Sequence, residues 1–283
     1  MTNPIPPAIA FIGGGNMASA LIGGLVRAGR APGAILVIEP DEAQRARLAA
    51  DFGVQTAAAA GAALGRAALV VWAVKPQIFK QAAAPCAAHL PHLNSHGALH
   101  LSVMAGIRSE SIAKAAGLAP ARARIVRSMP NTPALIGRGI AGLFATPAVS
   151  ATERQLVEQV LAPTGQWLWV DAEADLDAVT ALSGSGPAYV FLFLEAMMAA
   201  AAEMGLSAAQ GRQLALATFD GATALAAQSD ESPAVLRERV TSQGGTTDAA
   251  LQSMAAAGVA PALIAAIRAA QQRARELGDE FGG

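Results

Sequence analysis

The sequence predicts an α/β fold in which an N-terminal sheet, with helices on both faces, precedes an all-helical domain. Through residue 171, short apolar runs alternate with helix-type segments, as in a doubly wound parallel sheet. From residue 172 onward, nearly every segment has helical periodicity. A length of 283 residues also suits two domains better than one core. We therefore expect domains at 1–171 and 172–283.

The composition argues against a nucleic-acid-binding protein and against a membrane protein. A net charge of −1 gives no basic surface for nucleic acid or anionic lipid. Alanine inflates the hydrophobic fraction of 53%, and no stretch reads as about 18 uninterrupted apolar residues. The most apolar stretch, 188–202, carries Glu195 and is predicted to be a buried core helix. The single Cys86 and the lack of a signal-peptide pattern favour a cytoplasmic protein without membrane or nucleic-acid partners.

Residues 8–25 predict a dinucleotide-binding turn. An apolar strand leads into glycines, and helical spacing follows, with Asn16 as the expected cap. In the GxGxxA spacing, Gly13 allows the tight turn, Gly15 lets the backbone approach a pyrophosphate, and Ala18 lets the helix lie close to the strand. The alternative is a strand–turn–helix without a ligand. The context of the motif favours a Rossmann domain that binds NAD(H) or NADP(H).

Glu39 ends the next apolar run, 34–39, close to where a dinucleotide fold places its ribose-binding acid. A carboxylate there can accept both ribose hydroxyls and would repel a 2′-phosphate, which favours NADH over NADPH. The alternative is a solvated strand end, with Arg45 and Arg47 close enough to hold a phosphate.

Two later loops are expected at the ligand edge, because loops at the carboxyl ends of parallel strands line the crevice. The first begins at Lys75 and Pro76, after the apolar run 68–74. The second contains Pro130 and Asn131, whose amide could be presented to a ligand. Other strands are predicted at 99–103, 125–127, 140–145 and 167–170, and helices at 41–51 and 152–161.

The histidines fall in one short window: His89, His92, His96 and His100. A spacing of four could align metal ligands on a helix, but Pro91 and Gly97 interrupt one. No cysteine or nearby carboxylate completes a ligand set. We therefore predict ordinary loop and strand histidines and no metal site.

Two short polar segments interrupt the helical pattern of residues 172–283. Residues 183–187, SGSGP, predict a flexible turn with Pro187 opening the next helix. Residues 241–248, TSQGGTTD, combine glycines with hydroxyls at a helix start, which suits a substrate carboxylate. The alternative is a capping turn with Thr246 or Thr247 as the cap and no ligand.

The helices of the second half are expected at 176–182, 188–204, 208–227, 234–240, 247–256 and 260–277. Their apolar surfaces are expected to pack between subunits.

Five segments in order resemble the pyrroline-5-carboxylate reductase family over nearly the whole chain. They are FIGGGNMA at 11–18, AVKPQ at 73–77, RSMPNTPALIGRG at 127–139, SGSGPAYVF at 183–191 and PAVLRERVTSQGGTTDAALQSM at 233–254. The resemblance implies reduction of 1-pyrroline-5-carboxylate to L-proline, the last step of proline biosynthesis, by NADPH or NADH. It also implies a homodimer through the helical domain, and many family members assemble five dimers into a decamer.

The resemblance also implies roles for individual residues. The expected cofactor contacts are Gly13, Gly15, Asn16, Met17, Ala73, Lys75, Pro76, Pro130 and Asn131, together with Glu39. The expected contacts of the substrate carboxylate are Ser242, Gly244, Gly245 and Thr246. The Thr247 hydroxyl would face the ring nitrogen as a hydrogen-bonding orienter or proton relay. A protonated imine is already electrophilic, so the expected reaction needs no metal or catalytic triad.

Three positions depart from the family pattern. One of them, Ala255, follows Met254 where a polar residue is usual, and we expect it to matter little. Gln243 stands where proline is usual, which predicts a looser substrate loop. Glu39 replaces the small or hydroxyl residues of members that use NADPH, which favours NADH. The rival hypotheses are another two-domain reductase, such as a β-hydroxyacid dehydrogenase or an imine reductase, and a non-enzymatic NAD(P) sensor. The first rival is expected to have a catalytic Lys or Asp in the first helices of its second domain. Residues 172–204 contain no lysine, and their acidic residues are Glu173, Asp175, Asp177, Glu195 and Glu203.

Overall fold

The computed structural model describes residues 9–90 and 97–282. Within them, eight strands form one sheet in the order β3-β2-β1-β4-β5-β6-β7-β8. The strands are β1 (Ile9–Ile12), β2 (Ile35–Ile38), β3 (Gln55–Ala57), β4 (Leu69–Trp72), β5 (Leu99–Ser102), β6 (Ile125–Met129), β7 (Gly139–Ala145) and β8 (Gly165–Trp169).

Most of the α-helices lie where the sequence predicts them, but one was not predicted and the last extends five residues beyond its predicted end, from 277 to 282. The α-helices are α1 (Asn16–Arg27), α2 (Glu42–Phe52), α3 (Phe79–Ala87), α4 (Ser109–Ala115), α5 (Ala151–Leu161), α6 (Asp175–Val179), α7 (Gly186–Glu203), α8 (Ala208–Ala227), α9 (Pro233–Arg239), α10 (Thr246–Ala256) and α11 (Val259–Gly282). A π-helix, Thr180–Gly184, lies between α6 and α7. The Rossmann fold with a following helical domain is confirmed.

Alternation along β1 explains how the sheet is buried on both faces. Ile9 and Phe11 belong to one apolar cluster with residues of α1, whereas Ala10 and Ile12 belong to a second cluster with residues of α3. Because successive side chains of a strand point to opposite faces, each face of the sheet needs its own layer of helices. The apolar runs in the sequence therefore become central strands.

The sheet is not wholly parallel, which corrects one detail of the prediction. β7 runs antiparallel to β6, with Met129 opposite Gly142, while the other strand pairs are parallel. The connection between β6 and β7 contains only a short 3₁₀-helix, Thr132–Ile136. A parallel crossover needs a dozen or more residues, so this short connection reverses the chain. The prediction also missed β3 and α4, both of which are short.

Contacts divide the described chain into two compact units. The first comprises the residues up to Ser185 together with those from Ala270 onward, and the second is Gly186–Ala269. Within the second unit, α7 and α8 pack so closely that a Cβ at Gly211 would lie 2.9 Å from the Cβ of Ala201. The domain boundary proposed from the sequence, between residues 171 and 172, remains a prediction.

Helices of the second unit expose large apolar side chains in the single chain. On α7 these include Val190, Phe191 and Leu192, so this helix is not the buried core helix that its composition predicted. By length and composition, Asp175–Glu203 could span a membrane, and the bent pair α10–α11 would make a second such span among the described residues. An apolar face of this size also suits an interface between subunits.

His100 provides a test of the core by pH. The Nε1–H of Trp72 donates to His100 Nδ1 at 3.1 Å, and both side chains are buried. Burial, assisted by the nearby Arg124 charge, lowers the pKa of His100 from 6.5 to about 4. The unfolded chain therefore binds a proton as the pH falls from about 6.5 to about 4, while the folded chain does not. We expect this one group to reduce the free energy of unfolding by about 3 kcal/mol over that range.

The control for this prediction is His100→Gln, which keeps an acceptor for Trp72 but does not titrate. Denaturant unfolding at fixed protein concentration, repeated from pH 7 to pH 4, should show a shallower loss of stability in the variant. Equal acid sensitivity in the two proteins would contradict the assignment.

Candidate active site

The glycine turn after β1 is shaped by two kinds of constraint. Gly13 has a φ of +96°, and a Cβ there would lie 2.7 Å from the carbonyl oxygen of Ala73. A Cβ at Gly14 would lie 2.6 Å from Leu48 Cδ1. A Cβ at Gly15 would meet no atom of the described chain within 4 Å. Packing and backbone conformation therefore require glycine at Gly13, and a Cβ at Gly14 would displace the end of the Leu48 side chain. The third position faces open space, as the approach of a ligand would need.

The start of α1 is uncapped. Gly15, not Asn16, is the N-cap residue, so the expected capping role of Asn16 is wrong. Asn16 and Met17 are the first two helical residues, and within the described chain their N–H groups meet no acceptor. Free N–H groups at the positive end of a helix attract anions. The residues predicted to hold a diphosphate therefore form a suitable site.

Glu39 is tied to the glycine turn. Its Oε2 accepts the N–H of Gly14 at 2.8 Å, and its Oε1 accepts the N–H of Asp41 at 3.0 Å. Arg45 Nη1 donates to the carbonyl oxygens of Glu39 and Pro40 at 2.8 and 2.7 Å. Glu39 is thus not simply a solvated strand end. Because a carboxylate has about four acceptor sites, it keeps capacity for ribose hydroxyls. Arg45 also lies at this strand end, as the phosphate alternative required.

Strand register brings the predicted cofactor loops to one edge. Ile12 pairs with Ile38 on one side and with Trp72 on the other, so Gly13, Glu39 and Ala73 follow at the same level. Lys75 is exposed there, and Pro76 opens a 3₁₀-helix. Their predicted contacts with the nicotinamide remain predictions.

A cavity of about 320 Å³ begins at this edge, lined by Gly13 and Glu39. Its remaining wall is mostly apolar and includes Pro40, Ala58, Ala59, Ala60, Ile78 and Pro85. The sequence analysis did not predict these residues as part of a site, because small apolar side chains do not indicate catalysis or binding. Only the pairing of the short strand β3 with β2 places residues 58–60 beside the end of β2. A mostly apolar cavity of this size suits an aromatic base.

Asn131 joins two segments of the first unit. Its Oδ1 accepts the N–H of Ile140 at 3.0 Å, and its Nδ2 donates to the carbonyl oxygen of Ser183 at 3.2 Å. At the end of this second segment, a Cβ on Gly184 would lie 2.6 Å from Met129 Cε. The turn predicted at 183–187 is therefore the end of a π-helix, which lies against the end of β6, followed by Ser185 and the first two residues of α7. Contact of Pro130 or Asn131 with a cofactor remains a prediction.

Glu173 connects three segments near the same strand end. Its carboxylate accepts the N–H and the hydroxyl of Ser109 at 2.6 and 2.7 Å, and Arg127 Nη1 at 2.9 Å. Burial by itself would raise the pKa of Glu173, but these hydrogen bonds and the Arg127 charge hold it below the ordinary value. Arg127, on β6, is 6% exposed. Sequence reasoning assigned no role to this network, whose partners are far apart in the chain.

The predicted substrate loop lies at the start of α10 in the second unit. Gly245 is the N-cap residue, so neither Thr246 nor Thr247 is the cap that the alternative required. The N–H of Gly245 donates to the Ser242 carbonyl oxygen at 2.9 Å, and the N–H of Gly244 donates to Asp248 Oδ2 at 2.9 Å. The N–H groups of Thr246 and Thr247 meet no acceptor within the described chain. These two groups are open to an anion.

The histidines do not gather around a metal site in the described chain. His100 is buried in β5, His89 follows α3, and His92 and His96 lie outside the described residues. No group of three or more His, Cys, Asp or Glu side chains in 9–90 and 97–282 could hold a metal ion.

Comparisons with known families and known proteins point to the same family. A family model described as pyrroline-5-carboxylate reductase dimerisation matches residues 173–277, and one described as NADP oxidoreductase, coenzyme F420-dependent, matches residues 8–106. A pyrroline-5-carboxylate reductase of Pseudomonas aeruginosa is 44% identical over 276 residues, covering 98% of each chain. The chain belongs to the pyrroline-5-carboxylate reductase family. Members of this family reduce 1-pyrroline-5-carboxylate to proline with NAD(P)H.

Solved structures of the pyrroline-5-carboxylate reductase family have the same fold. The enzyme from Coxiella burnetii is 35% identical, with a TM-score of 0.87 and coverage of 96% of this chain and 99% of that one. A Plasmodium falciparum pyrroline carboxylate reductase with NADP bound is 26% identical, with a TM-score of 0.84 and coverage of 96% and 98%. The expected family, the NAD(P)-dependent oxidoreductase class and the presence of a dimerisation domain are confirmed.

Proposed function

We propose that this chain reduces 1-pyrroline-5-carboxylate to L-proline by hydride transfer from NADH or NADPH to C5 of the cyclic imine. The observation that carries the proposal is a pair of helix starts, α1 and α10, each entered through glycine and each with free N–H groups. Side chains cap four other helices instead: Asp41 on α2, Ser150 on α5, Ser207 on α8 and Ser232 on α9. The helices α3, α4 and α6 also lack a side-chain cap, but their N-cap residues are not glycine. The starts of α1 and α10, with glycine as the N-cap residue, suit the two anionic groups of this reaction, a diphosphate and a carboxylate.

The first unit would hold the cofactor. The diphosphate would lie on the N–H groups of Gly15, Asn16 and Met17, and the adenosine ribose would bond to Glu39. The adenine would enter the cavity beyond Pro40. The nicotinamide would lie at the strand ends marked by Ala73, Lys75, Pro76, Pro130 and Asn131. The open position at Gly15 and the register of the strands support this placement.

The loop of the second unit would hold the substrate. Ser242, Gly244, Gly245 and Thr246 would surround the carboxylate, with the N–H groups of Thr246 and Thr247 as its donors. The Thr247 hydroxyl would face the ring nitrogen. Because its pKa is too high for a strong acid, Thr247 is best described as a group that orients the ring or relays a proton.

The proposed reaction requires the protein mainly to orient the cofactor and the substrate. When bound, the reduced nicotinamide supplies the hydride. The protonated ring nitrogen makes C5 electrophilic, and the electron pair of the C=N bond moves to that nitrogen, which keeps its proton. Each site would orient its own reactant, and such orientation can supply a large part of the rate enhancement.

The proposal also covers the oligomeric state of the protein and its location in the cell. The dimerisation domain and the exposed apolar side chains of the second unit support a working homodimer. We propose that five dimers form a decamer in the cytoplasm, without nucleic-acid or membrane partners, in keeping with the net charge of −1. We keep the boundary at 171/172 as the proposed start of the dimerisation and substrate domain.

The experiment that tests the function follows the absorbance of reduced nicotinamide after adding 1-pyrroline-5-carboxylate, with NADH and NADPH in parallel. Oxidation that depends on the substrate supports the proposal. A folded protein that binds cofactor but oxidises neither would instead be a reductase for another imine or a sensor.

Glu39→Gln should change the preference for the cofactor. The wild-type protein is expected to favour NADH, because the carboxylate repels a 2′-phosphate. The side-chain oxygen of the introduced glutamine can still accept the N–H of Gly14, so the turn keeps this bond while the charge disappears. We expect the ratio of kcat/KM for NADPH to that for NADH to rise about tenfold, which corresponds to about 1.4 kcal/mol.

The matched control is Glu42→Gln, which makes the same charge change at an exposed first-turn residue of α2. It should alter the ratio by less than about twofold, because exposed charges are screened. Equal shifts in the two variants would show that net charge, not the position of Glu39, sets the preference.

A further inference from the structure

The side chain of Asp248 reaches back over the loop that precedes α10. Its Oδ2 accepts the N–H of Gly244 at 2.9 Å, and its Oδ1 accepts Gln252 Nε2 at 3.1 Å, one helical turn further on. Gly244 has a φ of +73°, a conformation that side chains other than glycine rarely adopt. The carboxylate therefore fixes the residue at which the chain changes direction before entering the helix.

This arrangement differs from the caps on other helices of the chain. In α5 the Ser150 hydroxyl accepts the N–H of Glu153, and in α8 the Ser207 hydroxyl accepts that of Gln210. Such a cap uses an N–H group of the first helical turn. Glu153 and Gln210, the third residues of α5 and α8, also accept an N–H from the residue before the helix, but there the serine caps the first turn as well. In α10 Asp248 makes the first kind of bond, and no side chain caps the first turn. The loop is thus held while the N–H groups of Thr246 and Thr247 remain free.

We propose that Asp248 is a positioning residue for substrate binding in this chain. It holds Gly244 and the turn in one conformation, so that the free N–H groups of α10 and the Thr247 hydroxyl are already arranged for the substrate. This inference rests on the proposed function of the loop. A side chain that orders a binding loop in advance lowers the entropy lost on binding, so its removal acts on substrate affinity more than on the chemical step.

A competing effect would have the opposite sign. The Asp248 carboxylate lies beside the expected position of the substrate carboxylate and could repel it. Asp248→Ala removes both the hydrogen bond and the charge, whereas Asp248→Asn removes only the charge, since Asn Oδ1 can still accept the N–H of Gly244. The two variants together separate positioning from repulsion.

The test measures KM and kcat for 1-pyrroline-5-carboxylate, and Kd for NADH, in the wild-type protein and three variants. Asp248→Ala should raise KM about tenfold and change kcat by less than about threefold, with the Kd for NADH unchanged. Asp248→Asn should restore KM to within about threefold of wild type. Gln252→Ala, which removes the support of the other carboxylate oxygen, should raise KM by about twofold.

A lower KM in Asp248→Ala would overturn the proposal in favour of repulsion, and an unchanged KM would also overturn it. So would an Asn variant as impaired as the Ala variant. Hydrogen–deuterium exchange of residues 241–248 gives a readout that needs no substrate. Exchange at Gly244 should become faster in Asp248→Ala and stay slow in Asp248→Asn. A wild-type protein with slow exchange but no turnover would contradict the proposed function alone, whereas equal exchange in all variants would overturn the positioning role.

Discussion

Thr247→Ala is expected to lower kcat/KM for 1-pyrroline-5-carboxylate by about 100-fold, with both a lower kcat and a higher KM. The Thr247 hydroxyl is half-buried on the second residue of α10, beside two N–H groups that are open to an anion. A hydrogen bond that a positioned hydroxyl oxygen accepts from a charged N–H group is worth about 1.5–3 kcal/mol, and 2.7 kcal/mol corresponds to about 100-fold. The variant loses this bond both to the bound substrate and in the transition state.

Steady-state kinetics with saturating cofactor measures the loss of kcat/KM. The Kd for NADH shows whether the substitution affects only the substrate site. The Kd should stay within twofold, since the expected cofactor residues all lie before residue 132. Thr247→Ser, which keeps the hydroxyl, should recover most of the activity. Thr246→Ala removes a neighbouring exposed hydroxyl and should have a smaller effect on kcat. Wild-type kinetics in Thr247→Ala would contradict the assigned role.

Local pattern was enough to predict the start of the fold. An apolar strand, a glycine turn and a helix are adjacent in sequence, and each is specified by residues within it. The end of β2 was also predictable, because Glu39 follows an apolar run at a characteristic distance from the turn. The polar loop before α10 stood out because glycines and hydroxyls interrupt an otherwise apolar, helical half.

Features set by tertiary contact were not predictable in this way. The antiparallel β7 depends on a connection too short for a crossover, which the sequence shows only once the ends of both strands are known. The π-helix ends at Gly184, which lies close to Met129, a residue distant in sequence. The Glu173 network joins residues from three segments. The amide of Asn131 bonds to two backbone groups that no local pattern reveals, and its contact with a ligand stays a prediction.

The three glycines of the first turn should respond differently to the same added methyl group. Gly15→Ala should fold normally, because its φ of −68° suits alanine and its Cβ would meet no described atom within 4 Å. The methyl group would instead occupy the space through which a diphosphate approaches the N–H groups of α1. We expect the Kd for NADH to rise at least about 30-fold, as when one or two bonds to a charged group are lost.

Gly13→Ala should fail in another way, because its Cβ would lie 2.7 Å from a backbone oxygen and its φ of +96° is strained for alanine. We expect poor folding, measured as a lower yield and a lower Tm. Gly33→Ala is the matched control: its Cβ also meets no described atom within 4 Å, but it lies in a 3₁₀-helix before β2. It should keep both stability and cofactor affinity. If Gly15→Ala bound NADH as tightly as Gly33→Ala, the diphosphate could not lie against this turn, because the open space at Gly15 would then have no role in binding.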